Sequence, residues 1–162
     1  MNEKLKEKIK TFSERTPNDM ASKLVNAREL IDGMATFIDE NFKGLIEMKT
    51  ERIRGEIMCS VEGFAHLIKM IIQLYEGHDI LKFSIYEKDN VMFLETNIDF
   101  AKIQTGIYFG YIFSSAADYG FDIIKSNGNF TIKAKLRVER FLKLGSMSFS
   151  NISTIFDMIF FH

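Results

Sequence analysis

The chain has one cysteine, one proline and no tryptophan among its 162 residues. A single thiol, Cys59, excludes a disulfide within the chain and any metal site built on several thiolates. It reads as a small buried apolar residue. Long apolar runs are missing too: none approaches the roughly 20 residues that span a bilayer. The N-terminal MNEKLKEKIK is too charged for a secretory leader, so the expected setting is cytoplasmic, with no membrane partner. Charge of one sign is also lacking. The net charge is −1, with acids and bases mixed along the chain, which gives no electrostatic reason to expect a nucleic-acid partner. Walker, HExxH, GxSxG and EF-hand spacings do not occur. No group of residues reads as a catalytic constellation or a metal site, and no cofactor is expected.

What the chain does have is phenylalanine: sixteen of them, in a sequence 46% hydrophobic and 27% charged. That composition predicts one phenylalanine-built core, and the length allows one domain plus an appendage. The reading divides the chain into a helical arm (1–44), an α/β domain (45–138) and an apolar C-terminal extension (139–162).

The α/β domain is organised around Gly106 to Val138. A helix is predicted from about Ala101 to Tyr119, with Phe109, Ile112, Phe113 and Ala116 at helical spacing. Gly120 stands where a helix stops in the left-handed conformation. Asn127-Gly128 then joins two β-like runs, the strongest short-range hairpin signal. In the second run Phe130, Ile132, Ala134, Leu136 and Val138 alternate with Thr131, Lys133, Lys135 and Arg137, which predicts a strand with one wet face. Arg140 and Lys143 extend that basic stripe, which a solvated sheet face explains. Upstream, Ser60 caps a predicted helix from Val61 to about Glu76. Ile80–Tyr86 and Val91–Thr96 form a second hairpin through residues 87–90.

Before this domain, a short helix is expected over 2–14, with Leu5, Ile9 and Phe12 on one face. Thr16-Pro17 signals a restart. A long helix to Asn41 would then carry Leu24, Ala27, Ile31, Met34 and Ile38 at three-four spacing, a heptad seam. Leu24, Ile31, Met34 and Ile38 are the expected interaction residues, pairing two copies of the arm in a homodimer or packing within the chain. Residues 43–59 read either as more helix or as one or two strands, with a strand at Ile53–Met58 favoured. The tail carries Phe141, Leu142, Leu144, Phe149, Ile152, Ile155, Phe156, Ile159 and Phe160. Such an apolar end is expected to fold back on the core; a docking surface is the alternative.

The expected fold is therefore α+β, a two-layer α/β sandwich of helix, hairpin, helix, hairpin behind a helical arm. A ferredoxin-like arrangement is the alternative, but it would leave the strand at Asn129–Val138 as an addition.

This order of elements resembles the ATP-binding domain of the GHKL superfamily, the fold of histidine-kinase catalytic domains, over roughly residues 52 to 138. The best local match is Gly106-Ile107-Tyr108-Phe109 for the family's G-x-G-L at a helix start, with Gly120 closing the helix. The resemblance places six residues around a vestigial nucleotide pocket: Lys69, Gln73, Asn97, Asp99, Gly106 and Tyr108. Lys69 and Gln73 stand where the family holds two asparagines, one of them a Mg²⁺ ligand. A protonated lysine is no metal ligand. Asn97 and Asp99 lie in Thr96-Asn97-Ile98-Asp99-Phe100, where the family has D-x-G-x-G and this chain has no glycine. Tyr108 replaces a glycine that lets backbone approach phosphate, and few residues remain for a lid. The resemblance thus implies a domain that has lost ATP binding.

A helical arm beside such a domain also resembles bacterial histidine phosphotransferases, yet no histidine precedes His66. The expected function is a non-catalytic signal-transduction or scaffold protein of the two-component type, acting on a protein partner such as a response regulator or a kinase. The alternatives are a divergent ATP-binding enzyme of the same fold and a phosphotransfer protein using a non-standard histidine.

Overall fold

A computed structural model describes residues 2–138 and 151–162. Arg140, Phe141, Leu142, Lys143, Leu144 and Phe149 lie outside the described residues.

Helix α1 (Glu3–Ile9) is capped by Asn2, whose side chain accepts from the Leu5 amide. It buries Leu5, and the segment beyond it inserts Phe12 edge-on against Phe42 and Phe160. The long helix expected from Thr16-Pro17 does not form. The chain stays irregular to Ser22, then makes strand β1 (Lys23–Asn26), antiparallel to β3 (Glu56–Cys59). Helix α2 (Ala27–Asn41) begins only at Asn26, whose carboxamide oxygen accepts from the Glu29 amide. A good side-chain cap well inside the expected helix therefore overrides the proline signal.

Residues 43–59 resolve into two strands, β2 (Ile46–Thr50) and β3. Ser60 caps α3 (Val61–Leu74) as expected, accepting from the Gly63 amide at 3.0 Å. The first hairpin, β4 (Leu81–Lys88) and β5 (Val91–Asp99), closes through Asp89-Asn90, both at positive φ. The helix expected over 101–119 is broken in two: α4 (Phe100–Gln104), capped by Asp99, and α5 (Phe109–Tyr119), which Gly120 ends at φ +100°. Strands β6 (Asp122–Ser126) and β7 (Asn129–Lys135) then pair across Asn127-Gly128. Helix α6 (Ile152–Phe161) returns the tail to the core.

The main sheet has the order β2-β4-β5-β7-β6, with β2 parallel to β4 and the other pairs antiparallel. Strand β7 lies between β5 and β6, so it is integral, and the ferredoxin-like alternative falls. Leu81, Phe83, Ile85, Met92, Leu94, Phe130, Ile132 and Ala134 form the inner face, all buried against the helices. Two expectations of which way a residue faces need correction. Thr131 is fully buried between its strand partners Glu95 and Ile124, and Val138, expected inside, is exposed.

In the helix layer α6 lies between α2 and α3, and α5 flanks α3 on the other side. The spacing is tight where glycines face neighbours: a Cβ on Gly33 would meet Ile152 at 2.5 Å, and one on Gly63 would meet Tyr119 at 2.4 Å. Among the described residues eight phenylalanines, Phe37, Phe64, Phe156 and Phe160 with them, are fully buried. Ile31, Met34 and Ile38 belong to this core, while Leu24 is half-buried on β1. The seam is thus covered by the chain's own helix layer, with α6 on α2, because an apolar stripe this broad finds its nearest partner in the equally apolar tail. Within residues 1–44, Leu5, Ile31, Met34 and Ile38 are among the buried core residues. Among the described residues no helix is long and apolar enough to cross a membrane.

Candidate functional site

Helix α3 runs through the middle of the helix layer, and this decides the fate of its polar residues. With α6 on one side and α5 on the other, even Lys69 is only 3% exposed. Its Nζ donates to three backbone carbonyls: Arg15 at 2.7 Å, Ile159 at 2.8 Å and Ser13 at 3.2 Å. The Ile159 carbonyl belongs to the last turn of α6, where helix carbonyls lack intrahelical partners and the dipole favours a cation. Ser13 completes that cap, its hydroxyl donating to Ile159 and its amide to Phe160. Burial lowers the Lys69 ammonium to a pKa of about 8.

One turn earlier, His66 is buried with its Nδ1 2.8 Å from the Tyr119 hydroxyl. Burial, and then the nearby Lys69 charge, push the imidazole down to a pKa of about 4. Burial raises the Tyr119 phenol to about 12. His162, at the end of α6, lies 3.1 Å from an Asp157 carboxylate oxygen. Cys59 is fully buried, and burial pushes its thiol up to about 12.

Two adjoining cavities open between α3 and the α4–α5 corner. The first, of about 550 Å³, is lined by Gln73, Asn97, Asp99, Gly106 and Tyr108, together with Tyr75, Glu76, Asp79 and Lys102. The second, of about 490 Å³, is lined by His66, Lys69, Gln73 and Tyr108 and by the strap Phe12–Arg15. Five of the six residues placed around a nucleotide pocket by resemblance line the first cavity, and Lys69 lines the second, which shares Gln73 and Tyr108 with it. Leu24 and Met34 line neither cavity.

The chemistry of the lining is specific. Asn97 is committed on both sides: its oxygen accepts from the Lys82 amide and its nitrogen donates to the Ile80 carbonyl, each at 2.9 Å. It fastens the start of β4. Asp99 accepts from the Ala101 amide as the cap of α4. The Tyr75 hydroxyl donates to the Asp79 carbonyl at 2.6 Å, and desolvation holds that phenol above its ordinary pKa. Glu76, Asp79 and Asp99 bring three carboxylates to the first cavity against the single ammonium of Lys102. An anionic ligand gains little there. Among the described residues no group of three or more His, Cys, Asp or Glu is placed to hold a metal ion.

Sequence reasoning missed Tyr75, Glu76, Asp79 and Lys102 as lining residues and the His66–Tyr119 pair. The pair joins residues 53 positions apart, and no local spacing could signal it. The turn at 105–108 was also missed, since Gly106 and Tyr108 read as helical from periodicity alone.

Compared by sequence, the chain matches no protein-family model and no curated protein. Compared by structure, it is similar to the catalytic domain of histidine kinase ThkA in two nucleotide-free crystal forms. The TM-scores are 0.51 and 0.50 and the identities 12% and 10%; each match covers 71% of this chain, and they cover 96% and 97% of that domain. A further match is the Acinetobacter baumannii histidine kinase AdeS, at 15% identity and TM-score 0.46, covering 83% of this chain and 75% of that one. The chain has the fold of a histidine-kinase catalytic domain.

Proposed function

We propose that this chain is a non-catalytic signalling or scaffold module, a histidine-kinase-like domain of two-component type that has given up nucleotide handling and works in the cytoplasm by binding another protein. One observation carries the reading. Lys69, at one of the two positions where the resemblance places asparagines, one of them a Mg²⁺ ligand, is spent on the backbone: its ammonium ties the Phe12–Arg15 strap and the end of α6 to α3. A group engaged by three carbonyls is not available to a phosphate, and its charge repels a divalent cation. Asn97 is likewise engaged by β4. The acidic lining of the first cavity disfavours a triphosphate further.

A response regulator or a kinase is the partner class this reading names. Dimerisation through Ile31, Met34 and Ile38 forms no part of it, because those side chains are buried within one copy. Phosphotransfer through His66 is disfavoured by its burial and its bond to Tyr119.

The test is incubation with Mg²⁺ and γ-labelled ATP, followed by separate acid and base treatment of the protein. No label and no ATP consumption is the expected result. Steady ATP consumption would support the enzyme reading, and acid-labile, base-stable label lost in His66→Gln would support phosphotransfer; either overturns the proposal.

A further inference from the structure

The α4–α5 corner carries a surface that the core does not explain. Residues 105 to 117 contain no charged side chain. Only part of this stretch is buried, at Ile112, Ser115 and Ala116. Ile107 is 89% exposed, Tyr108 60%, Tyr111 54% and Phe113 51%. Thus four of the seven large hydrophobic side chains that are exposed among the described residues fall within seven consecutive positions. Scattered exposed apolar residues are ordinary; four within seven consecutive positions at one helix start are not. Gly110 sits in the same stretch, and a Cβ there would meet nothing within 4 Å. A glycine within a helix is less favourable than alanine, and among the described residues no close neighbour requires it here.

The patch borders the first cavity, which Ile107, Tyr108 and Phe109 help to line. Glu76, Asp79 and Asp99 line the same cavity, with Lys102 the one cation among the four. An apolar face beside an acidic wall fits a ligand segment that is apolar on one side and cationic on the other.

We infer that the α4–α5 corner and the adjoining cavity form a docking surface for a partner-protein segment that presents an aromatic or aliphatic anchor flanked by lysine or arginine. The anchor enters between Ile103 and Phe109. The basic residues lie toward Glu76, Asp79 and Asp99. Anionic membrane surfaces do not fit, since they would face the same carboxylates. The inference rests on the protein-interaction reading above and names the chemistry of its partner.

A random-peptide phage library panned against the purified full chain, in the absence of nucleotide, supplies the probe. Enriched peptides are synthesised with a fluorophore and titrated by anisotropy. They are expected to carry net positive charge and one or more aromatic or aliphatic anchors. Their affinity is expected to fall about tenfold or more, the effect of losing a central contact, in Gly110→Gln and in the double variant Glu76→Lys/Asp79→Lys. Gly110→Gln adds a side chain only to open space, so its melting temperature should match wild type or exceed it.

Failure to enrich, acidic winners, or affinities unmoved by both variants would overturn the inference. So would self-association or vesicle binding that Gly110→Gln abolishes, for then a second copy or a lipid surface is the occupant. The two readings fail separately. ATP turnover sinks the functional proposal while leaving peptide affinity intact. Loss of the peptide result with no ATP turnover removes this surface alone.

Discussion

The Nζ of Lys69 lies 2.8 Å from the carbonyl oxygen of Ile159, ninety residues further along the chain. That bond, with those to Ser13 and Arg15, makes one ammonium the junction of three segments. Lys69→Met keeps the apolar stem but leaves buried carbonyls unpaired, at about 1–3 kcal/mol each. Since Ser13 still serves Ile159, a total loss of roughly 2–4 kcal/mol in urea unfolding is expected. The pH dependence has a definite sign. The folded pKa, about 8, is depressed from 10.5, so the unfolded chain binds more protons between those values. Wild-type stability should therefore rise relative to Lys69→Met from pH 8 toward pH 10. A flat or falling difference would mean that the ammonium is not buried.

His66 shifts in the same direction for the same physical reason, over a lower pH window. Its folded pKa is depressed to about 4 from 6.5, mainly by burial. The contribution of the neutral imidazole is complete above pH 6.5 and is lost as the pH falls toward 4. Against His66→Gln, which cannot titrate, wild type should lose stability over that window. Nuclear magnetic resonance of the imidazole protons checks the cause directly; an ordinary titration near pH 6.5 would contradict it.

Ile31 is 1% exposed in the core that α2 forms with the helix layer. Ile31→Asp places an unpaired carboxylate there, which costs several kcal/mol in practice. Thermal melts should show a largely unfolded or severely destabilised chain. A variant that stays folded and merely changes its sedimentation from dimer to monomer would return Ile31 to a subunit interface.

Gly128 has φ +81° in the turn between β6 and β7, and a Cβ there would meet nothing within 4 Å. The cost of Gly128→Val is therefore conformational alone, on the order of 1–3 kcal/mol. Lys135→Ala, on an exposed outward position of β7, should fall within about 0.5 kcal/mol of wild type. Equal losses in denaturant melts would show the strand register to be wrong.

The domain from Ser60 to Leu136 was legible because its signals are local. Ser60 as a cap, Gly120 as a stop and Asn127-Gly128 as a turn each act within a few residues. Strands β4 and β7 announce their faces by alternation. What could not be read depends on partners distant in sequence. The run Leu24 to Ile38 keeps helical spacing across Asn26, so periodicity joined a strand to a helix; only the pairing of β1 with β3 separates them. The same run looked like an interface because its cover, α6, arrives more than a hundred residues later. At the candidate site the residue types around Gln73, Asn97 and Gly106 could be listed in advance from resemblance. Their engagement could not, because Lys69 and Asn97 are satisfied by backbone groups that carry no side-chain signature.

Calorimetric titration of the full chain with Mg-ATP, repeated with Mg-ADP, tests the central claim most directly. The claim is that a histidine-kinase-like fold has here turned its nucleotide-facing residues to structural use. No binding heat at physiological nucleotide concentrations is the predicted result. A dissociation constant in the micromolar range, with Lys69 and Asn97 in place, would contradict it.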